Sequence, residues 1–333
     1  DITGNITNEK QLVEKIGGEI YFTNDITFSS SSLLNEHFGI FSEETRNYLS
    51  KIGAKYTSKQ VIQSMEALKN LKVLVLGDTI IDEYHYTMPL GQSAKGHHLA
   101  VKYQYTEQFA GGVLAVASHI AGFVGNVTLV TALGEDDSHE TFIRSKLHKE
   151  VQPIFFYKKN SRTLVKRRFV DMDLLKLFEV YLMDEDELLP EELDEKICVW
   201  LDKELSRFDV VVIPDFGHGF ITDKMIRVLE VKSKYMAVNT QVNSGNRGYH
   251  AISRYSRADL VTLNEPELRL ATHNRHDSVE ALAEKVCKAV NAKHVSITRG
   301  TNGAIMLNRK GNEIQRAPVL STKVVDRIGA GDA

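Results

Sequence analysis

Near the end of the chain, Asp326-Arg-Ile-Gly-Ala-Gly-Asp332 places two glycines directly before a carboxylate. Gly329 and Gly331 let the backbone come close to a ligand and take up conformations that other residues resist. A helix opening there would aim the N–H groups of Gly329, Ala330 and Gly331, and its positive dipole end, at an anion. Asp332 could then take the proton of an attacking hydroxyl while those N–H groups stabilise charge on a transferring phosphoryl group. A glycine turn capped by an aspartate is the plainer reading of so short a pattern.

Four further segments raise the weight of the first. Gly77-Asp78-Thr-Ile-Ile-Asp82 follows the apolar run Val73–Leu76 and supplies two carboxylates, Asp78 and Asp82. Gly111-Gly112 opens a run rich in small residues (Ala115, Ala117, Ser118, Ala121) that permits close approach of a ligand. Asn264-Glu-Pro-Glu267 offers an amide and carboxylates suited to water-bridged Mg²⁺, with Glu267 the metal-side group. Thr298, Gly300 and Gly303 follow the last strand before the terminal motif. All four read as lying at C-terminal strand ends, where α/β sheets bind ligands. The basic run Lys158, Lys159, Arg162, Lys166, Arg167, Arg168 reads either as a solvated charged hairpin or as a phosphate holder. In the second reading Lys166 and Arg168 grip the substrate's own phosphate. His97, His98, His218 and His250 match no zinc spacing, and His85 and His119 read as packing or surface residues. Trp200 sits in an amphipathic pattern and reads as core.

The elements that must position these residues alternate from Leu71 onward. Strands are expected at 73–76, 127–131, 210–213, 235–239, 260–263 and 295–298, and helices at 113–123, 191–205, 223–232, 265–271 and 278–291. That rhythm predicts an α/β fold, a mostly parallel sheet flanked by helices on both faces. Leu99–Phe109 and Thr163–Tyr181, the latter with a turn near Asp171–Asp173, read as extended. They predict a small antiparallel β lid at one edge of the sheet. Residues 1–70 differ in texture. Glu19–Phe22 reads as a strand, and Ser29–Ser32 before Leu33–Phe38 reads as a helix N-cap.

The 333 residues suggest about two domains, or one large α/β domain with an appendage. At 42% hydrophobic and 26% charged residues the chain has ample material for a core, which excludes wholesale disorder. A formal net charge of −3 creates no field favouring nucleic acid or an anionic membrane. Cys198 and Cys287 are too few for a disulfide framework and predict reduced thiols in the cytoplasm. The most apolar stretch, Phe109–Gly125, falls short of the roughly 20 residues a membrane span needs, and no signal peptide opens the chain. Because the sequence opens on Asp1 and ends within a helix-start pattern, it is expected to be a fragment of a longer polypeptide.

From about residue 71 to 333 the motifs resemble the ribokinase-like (PfkB) family of carbohydrate kinases. The family's Gly-x-x-x-x-Asp matches Gly77 to Asp82, its glycine pair matches Gly111-Gly112, its Asn-x-x-Glu matches Asn264 and Glu267, and its Gly-Ala-Gly-Asp signature ends at Asp332. The spacing of Gly77–Tyr84 and of Val210–Gly219 is similar to the kinase domain of bifunctional heptose-phosphate kinase/nucleotidyltransferases, which phosphorylate C1 of a heptose 7-phosphate. The resemblance implies a sugar or sugar-phosphate kinase using ATP and Mg²⁺. Asp332 would be the general base, and Gly329, Ala330 and Gly331 the anion hole. Asp78, Asp82, Gly111 and Gly112 would hold the sugar, with Lys166 and Arg168 on its phosphate. Asn264 and Glu267 would act through Mg²⁺ and water, and Thr298, Gly300 and Gly303 would line the nucleotide site. It also implies a lid whose strands could pair between two copies. Residues 1–50 resemble the end of a cytidylyltransferase-like domain, in which Ser29–Ser31 meet phosphates; a simple N-cap is the alternative. Residues 51–70 would be a connector and 71–333 the kinase domain, truncated at its C-terminus. Several positions depart from the pattern: Ala115 replaces an asparagine, Arg327 and Ile328 replace threonines, Asn239-Thr-Gln241 stands for Asp-Pro-Lys, and His218 stands for a lysine. These departures keep open a different sugar, a nucleoside, or a silent binding module attached to a transferase.

Overall fold

The computed structural model describes residues 11–19, 41–184, 188–246, 248–311 and 313–320. The chain divides into two units, residues 1–43 and 44–333. In the first, residues 11–15 are helical; residues 20–22 of the expected strand, the serine cluster and Leu33–Phe38 lie outside the described residues. The boundary therefore falls ahead of the segment expected to connect two domains. Residues 51–70, expected to be a connector, are largely helical. They comprise the end of Glu43–Lys55, then Ser58–Ala67 and a 3₁₀ turn Leu68–Asn70. Thr57 and Gln60 close a reciprocal capping box at the second helix, which is why the chain re-enters a helix there.

The second unit is built on a nine-stranded sheet in the order β13-β12-β11-β10-β9-β8-β1-β4-β5. Its strands are β1 Lys72–Leu76, β4 Asn126–Gly134, β5 Val151–Lys158, β8 Val210–Asp215, β9 Met236–Thr240, β10 Leu260–Asn264, β11 His294–Thr298, β12 Ala304–Asn308 and β13 Glu313–Ala317. All neighbours from β5 to β11 run parallel, and β12 and β13 are added antiparallel at one edge. Strands β5, β12 and β13 and the short helix Glu140–Lys146 carry little periodicity, and the sequence pattern passed over them.

The apolar run in β1 has the physical meaning expected of it. Val73 and Val75 pack into one core cluster, Leu74 and Leu76 into another. A strand buried on both faces needs no polar alternation. Helix Val113–Ala121 covers the first face through Val113, Leu114 and Ala117. Helices Glu191–Glu204 and Asp223–Lys232 cover the second through Ile197, Leu201, Met225 and Leu229. Trp200, expected in the core, is partly buried and packs against this second cluster from its margin.

The lid is larger than the sequence suggested. β2 (Thr79–Gln92), β3 (Leu99–Gly112), β6 (Val165–Val170) and β7 (Lys176–Leu182) form a separate sheet in the order β3-β2-β6-β7. β2–β3 and β6–β7 are antiparallel, while β2 and β6, which join the two pairs, run parallel. β2 itself was not foreseen. Consequently Asp82 stands within a lid strand rather than at the end of a strand of the main sheet, and Gly111-Gly112 close β3 of the lid.

Candidate active site

Register assembles the site. Asp82 lies opposite Phe109 on β3 and Lys166 on β6, and Lys166 lies opposite Tyr181 on β7. Two residues further on, Tyr84, Arg168 and Glu179 form the next row. Because side chains alternate along a strand, both rows project from the same face of the lid. Glu83 and Arg167 project from the opposite face and pair there, Nε to Oε2 at 2.6 Å. The basic run is thus split between two faces, with Lys166 and Arg168 together beside Asp82.

Arg168 donates to the Asp82 carboxylate, places its Nε 3.7 Å from Glu179, and sits 5.4 Å over the Tyr84 ring. Burial works against its charge, but Asp82 more than offsets this and holds the guanidinium above its ordinary value. Lys166 is only 4% exposed. Its Nζ stands 5.3 Å over the Tyr181 ring and has no carboxylate within ion-pair distance among the described residues. Burial lowers its pKa, with Asp82 opposing.

The glycine pair answers a steric demand. A side chain at Gly111 would run into the Asp82 carboxylate. Gly112 has φ +58°, and a Cβ there would meet the Asp78 carbonyl at 2.6 Å. Only glycine allows β3 to press against Asp82 and then turn into helix Val113–Ala121.

Asp78 is 4% exposed and accepts hydrogen bonds from the backbone N–H of Phe220 (3.0 Å) and His218 (3.3 Å). It thereby braces the loop after β8, and it also lines a small cavity with Thr79, Thr163 and His218. Burial and the nearby Asp215 charge push its pKa up to about 6. Asp215, which the sequence reading did not single out, is 1% exposed and accepts from Tyr255 Oη (2.9 Å), Arg254 (3.1 Å) and the Gly217 N–H (3.1 Å). Asn246 completes this scaffold by donating to the carbonyls of Phe216 (3.1 Å) and Gln241 (2.7 Å). Its signal was an asparagine between glycines, which is common in loops and carries no pointer to the site. The loop so braced carries His218 toward the lid, with its ring centroid 6.3 Å from that of Tyr181.

On the other side of the sheet's C-terminal edge, Asn264, Thr298, Gly300 and Gly303 line one cleft together with Arg299, Pro318 and Val319. Glu267 does not line it. Asn264 is the N-cap of helix Glu265–Ala271, accepting from the Glu267 N–H at 2.8 Å. Glu267 accepts in return from the N–H of Asn264 (2.9 Å) and also from that of Val242 (3.2 Å). It is 6% exposed, and burial raises its pKa. Among the described residues no group of three or more His, Cys, Asp or Glu could hold a metal ion. This donor set does not by itself fit Mg²⁺, and no step below runs through it. Asp332 and the backbone of Gly329, Ala330 and Gly331 lie outside the described residues.

A parallel sheet covered on both faces, with a glycine-pressed carboxylate on a four-stranded lid and a cleft at the strand ends, defines the ribokinase-like class of sugar kinases. A profile of the pfkB family carbohydrate kinases matches residues 70–333, and the chain belongs to that family. It is 26% identical over 272 residues to the bifunctional protein HldE of Shewanella sediminis, covering 81% of this chain and 55% of that protein. It is also 26% identical over 269 residues to HldE of Nitrobacter hamburgensis, covering 78% of this chain and 53% of that protein. The chain thus spans about half the length of the curated relatives it matches. Among solved structures, it superposes on ribokinase from Thermotoga maritima with a TM-score of 0.59 at 18% identity, covering 79% of this chain and 82% of that one. A tetrameric inhibited form of phosphofructokinase-2 from Escherichia coli gives 0.60 at 17% identity, with 79% and 84% covered. At these identities the superpositions speak for the fold alone. No helix among the described residues is long and apolar enough to cross a membrane.

Proposed function

We propose that this chain transfers the terminal phosphoryl group of ATP to a hydroxyl of a sugar phosphate, with C1 of a heptose 7-phosphate as the specific acceptor. The observation that carries this reading is the placement of Asp82, Lys166 and Arg168 on one lid face. A carboxylate suits sugar hydroxyls, and two cations beside it suit a phosphate that the sugar already bears. Kinship with the bifunctional HldE proteins supports the choice of a heptose over a pentose.

In this reading the lid holds the acceptor between Asp82, the Gly111-Gly112 backbone and the two cations. Asp332 takes the proton of the attacking hydroxyl, and the N–H groups of Gly329, Ala330 and Gly331 meet the charge on the transferring group. ATP lies along the cleft of Asn264, Thr298, Gly300 and Gly303. Catalysis is then mostly positioning and electrostatics. The reaction is cytoplasmic, where ATP and reduced cysteines coexist. The outward lid face, with Phe169 stacked on Phe178 at 4.5 Å and Phe178 exposed, supports a homodimer formed through the lid.

The test is ADP release by the full-length protein over a panel of sugars and sugar phosphates, with Asp332→Asn as control. Turnover of a heptose 7-phosphate that Asp332→Asn lowers by about 10²–10⁴-fold is the expected result. Nucleotide binding without turnover on any sugar would replace the kinase with a silent binding module. Turnover confined to a hexose phosphate or a nucleoside would keep the kinase and change its acceptor.

A further inference from the structure

Among the described residues, His218 is a polar side chain beneath the lid with both ring nitrogens unpaired. Its backbone N–H is fixed by Asp78 at 3.3 Å. Gly245 packs against its ring so closely that a Cβ there would meet Cε1 at 3.2 Å. Tyr181 faces it from the lid, and Lys166 stands over that same Tyr181 ring. Both ring nitrogens are nonetheless buried with no hydrogen-bond partner among the described residues. Leaving buried polar atoms unpaired is costly, and such atoms in a native protein call for an explanation.

The charge state narrows what could pair with them. Burial first, then the Lys166 charge and the nearby His250, depresses the imidazole's pKa to about 3, so the ring is neutral near pH 7. A neutral imidazole presents one N–H donor and one acceptor nitrogen. A phosphate dianion offers acceptors only and would leave the acceptor nitrogen unmet. A sugar hydroxyl both donates and accepts, and an array of hydroxyls can meet both nitrogens. Lys166, buried without a carboxylate within ion-pair distance, has the complementary need for an anion.

We propose that His218 is a binding residue for a hydroxyl of the acceptor sugar, set beside the phosphate that Lys166 holds, so that the site selects a polyhydroxylated sugar phosphate. This rests on the sugar-phosphate reading above and adds the group that recognises the polyol. The experiment is equilibrium titration calorimetry without nucleotide, using heptose 7-phosphate and inorganic phosphate as separate probes. His218→Ala is expected to weaken heptose 7-phosphate about 10–100-fold while changing phosphate affinity by less than about twofold. Lys166→Met is expected to weaken both. His218→Gln, which restores a donor and an acceptor, is expected to recover much of the heptose affinity, and it decides the matter if the alanine variant does not fold. An unchanged heptose affinity in His218→Ala, or equal losses for both probes, overturns the inference and leaves the sugar-phosphate reading standing. Absence of heptose 7-phosphate binding by the unaltered protein overturns both.

Discussion

Arg168 donates to the carboxylate of Asp82 from one register step along the lid, with Lys166 filling the position directly opposite Asp82. The arginine therefore has two duties in one geometry. It orients the Asp82 carboxylate, and it contributes charge to the same lid face. Lys166 has only the second.

That division separates two variants. Lys166→Met is expected to raise KM for a sugar phosphate by about 10–100-fold, as loss of a charge-assisted bond would, and to change KM for the matching unphosphorylated sugar by less than about threefold. Arg168→Ala is expected to impair both acceptors, because Asp82 loses its partner. Steady-state kinetics on the paired acceptors read the difference. Equal effects of Lys166→Met on both acceptors would remove the phosphate-binding role.

Gly111→Ala is expected to be severe for a steric reason. Its methyl group would occupy the space of the Asp82 carboxylate. Moving either β3 or Asp82 costs on the order of 1–3 kcal/mol in stability, and kcat/KM should fall at least about tenfold as the carboxylate is displaced. Chemical denaturation and kinetics on the same preparation measure both. A variant with wild-type stability and turnover would show that β3 does not constrain Asp82.

The pH dependence of stability carries two opposed contributions beneath the lid. His218 is depressed from 6.5 to about 3, so the unfolded chain takes up that proton first. Its contribution is complete above pH 6.5 and is lost as pH falls toward 3. Asp78 is raised from 3.8 to about 6, so its contribution is complete below pH 3.8 and is lost as pH rises through 6. The advantage of the unaltered protein over His218→Asn should therefore grow by on the order of 1–2 kcal/mol between pH 4 and pH 7. Urea unfolding across that range measures it, and a difference independent of pH would contradict a buried neutral ring.

Glu267→Ala is expected to cost about 1–2 kcal/mol, because two backbone N–H groups lose their acceptor. Glu267→Gln keeps the capping geometry and should recover most of that loss. Thermal melts of the two variants decide it, and equal destabilisation would argue against capping as the residue's structural work.

The sequence by itself determined the parallel sheet and the order of its candidate site segments. A strand buried on both faces must be continuously apolar, as Val73–Leu76 is, and helices Asp223–Lys232 and Glu265–Ala271 fall where period and caps put them. The glycine pair could be located in the sequence, but not the reason for it, since Asp82 presses on Gly111 only once β2 and β3 are paired. Tertiary structure alone decided which charges share a face. Lys166, Arg167 and Arg168 are consecutive, yet strand alternation sends Arg167 to Glu83 on one face and its neighbours to the side of Asp82 on the other. It also gave Asp78 and Glu267 backbone N–H groups to brace and, among the described residues, left both ring nitrogens of His218 unpaired beneath the lid. Residue type limits what a side chain can bond, but its partner is fixed by register and by loops brought together from distant parts of the chain.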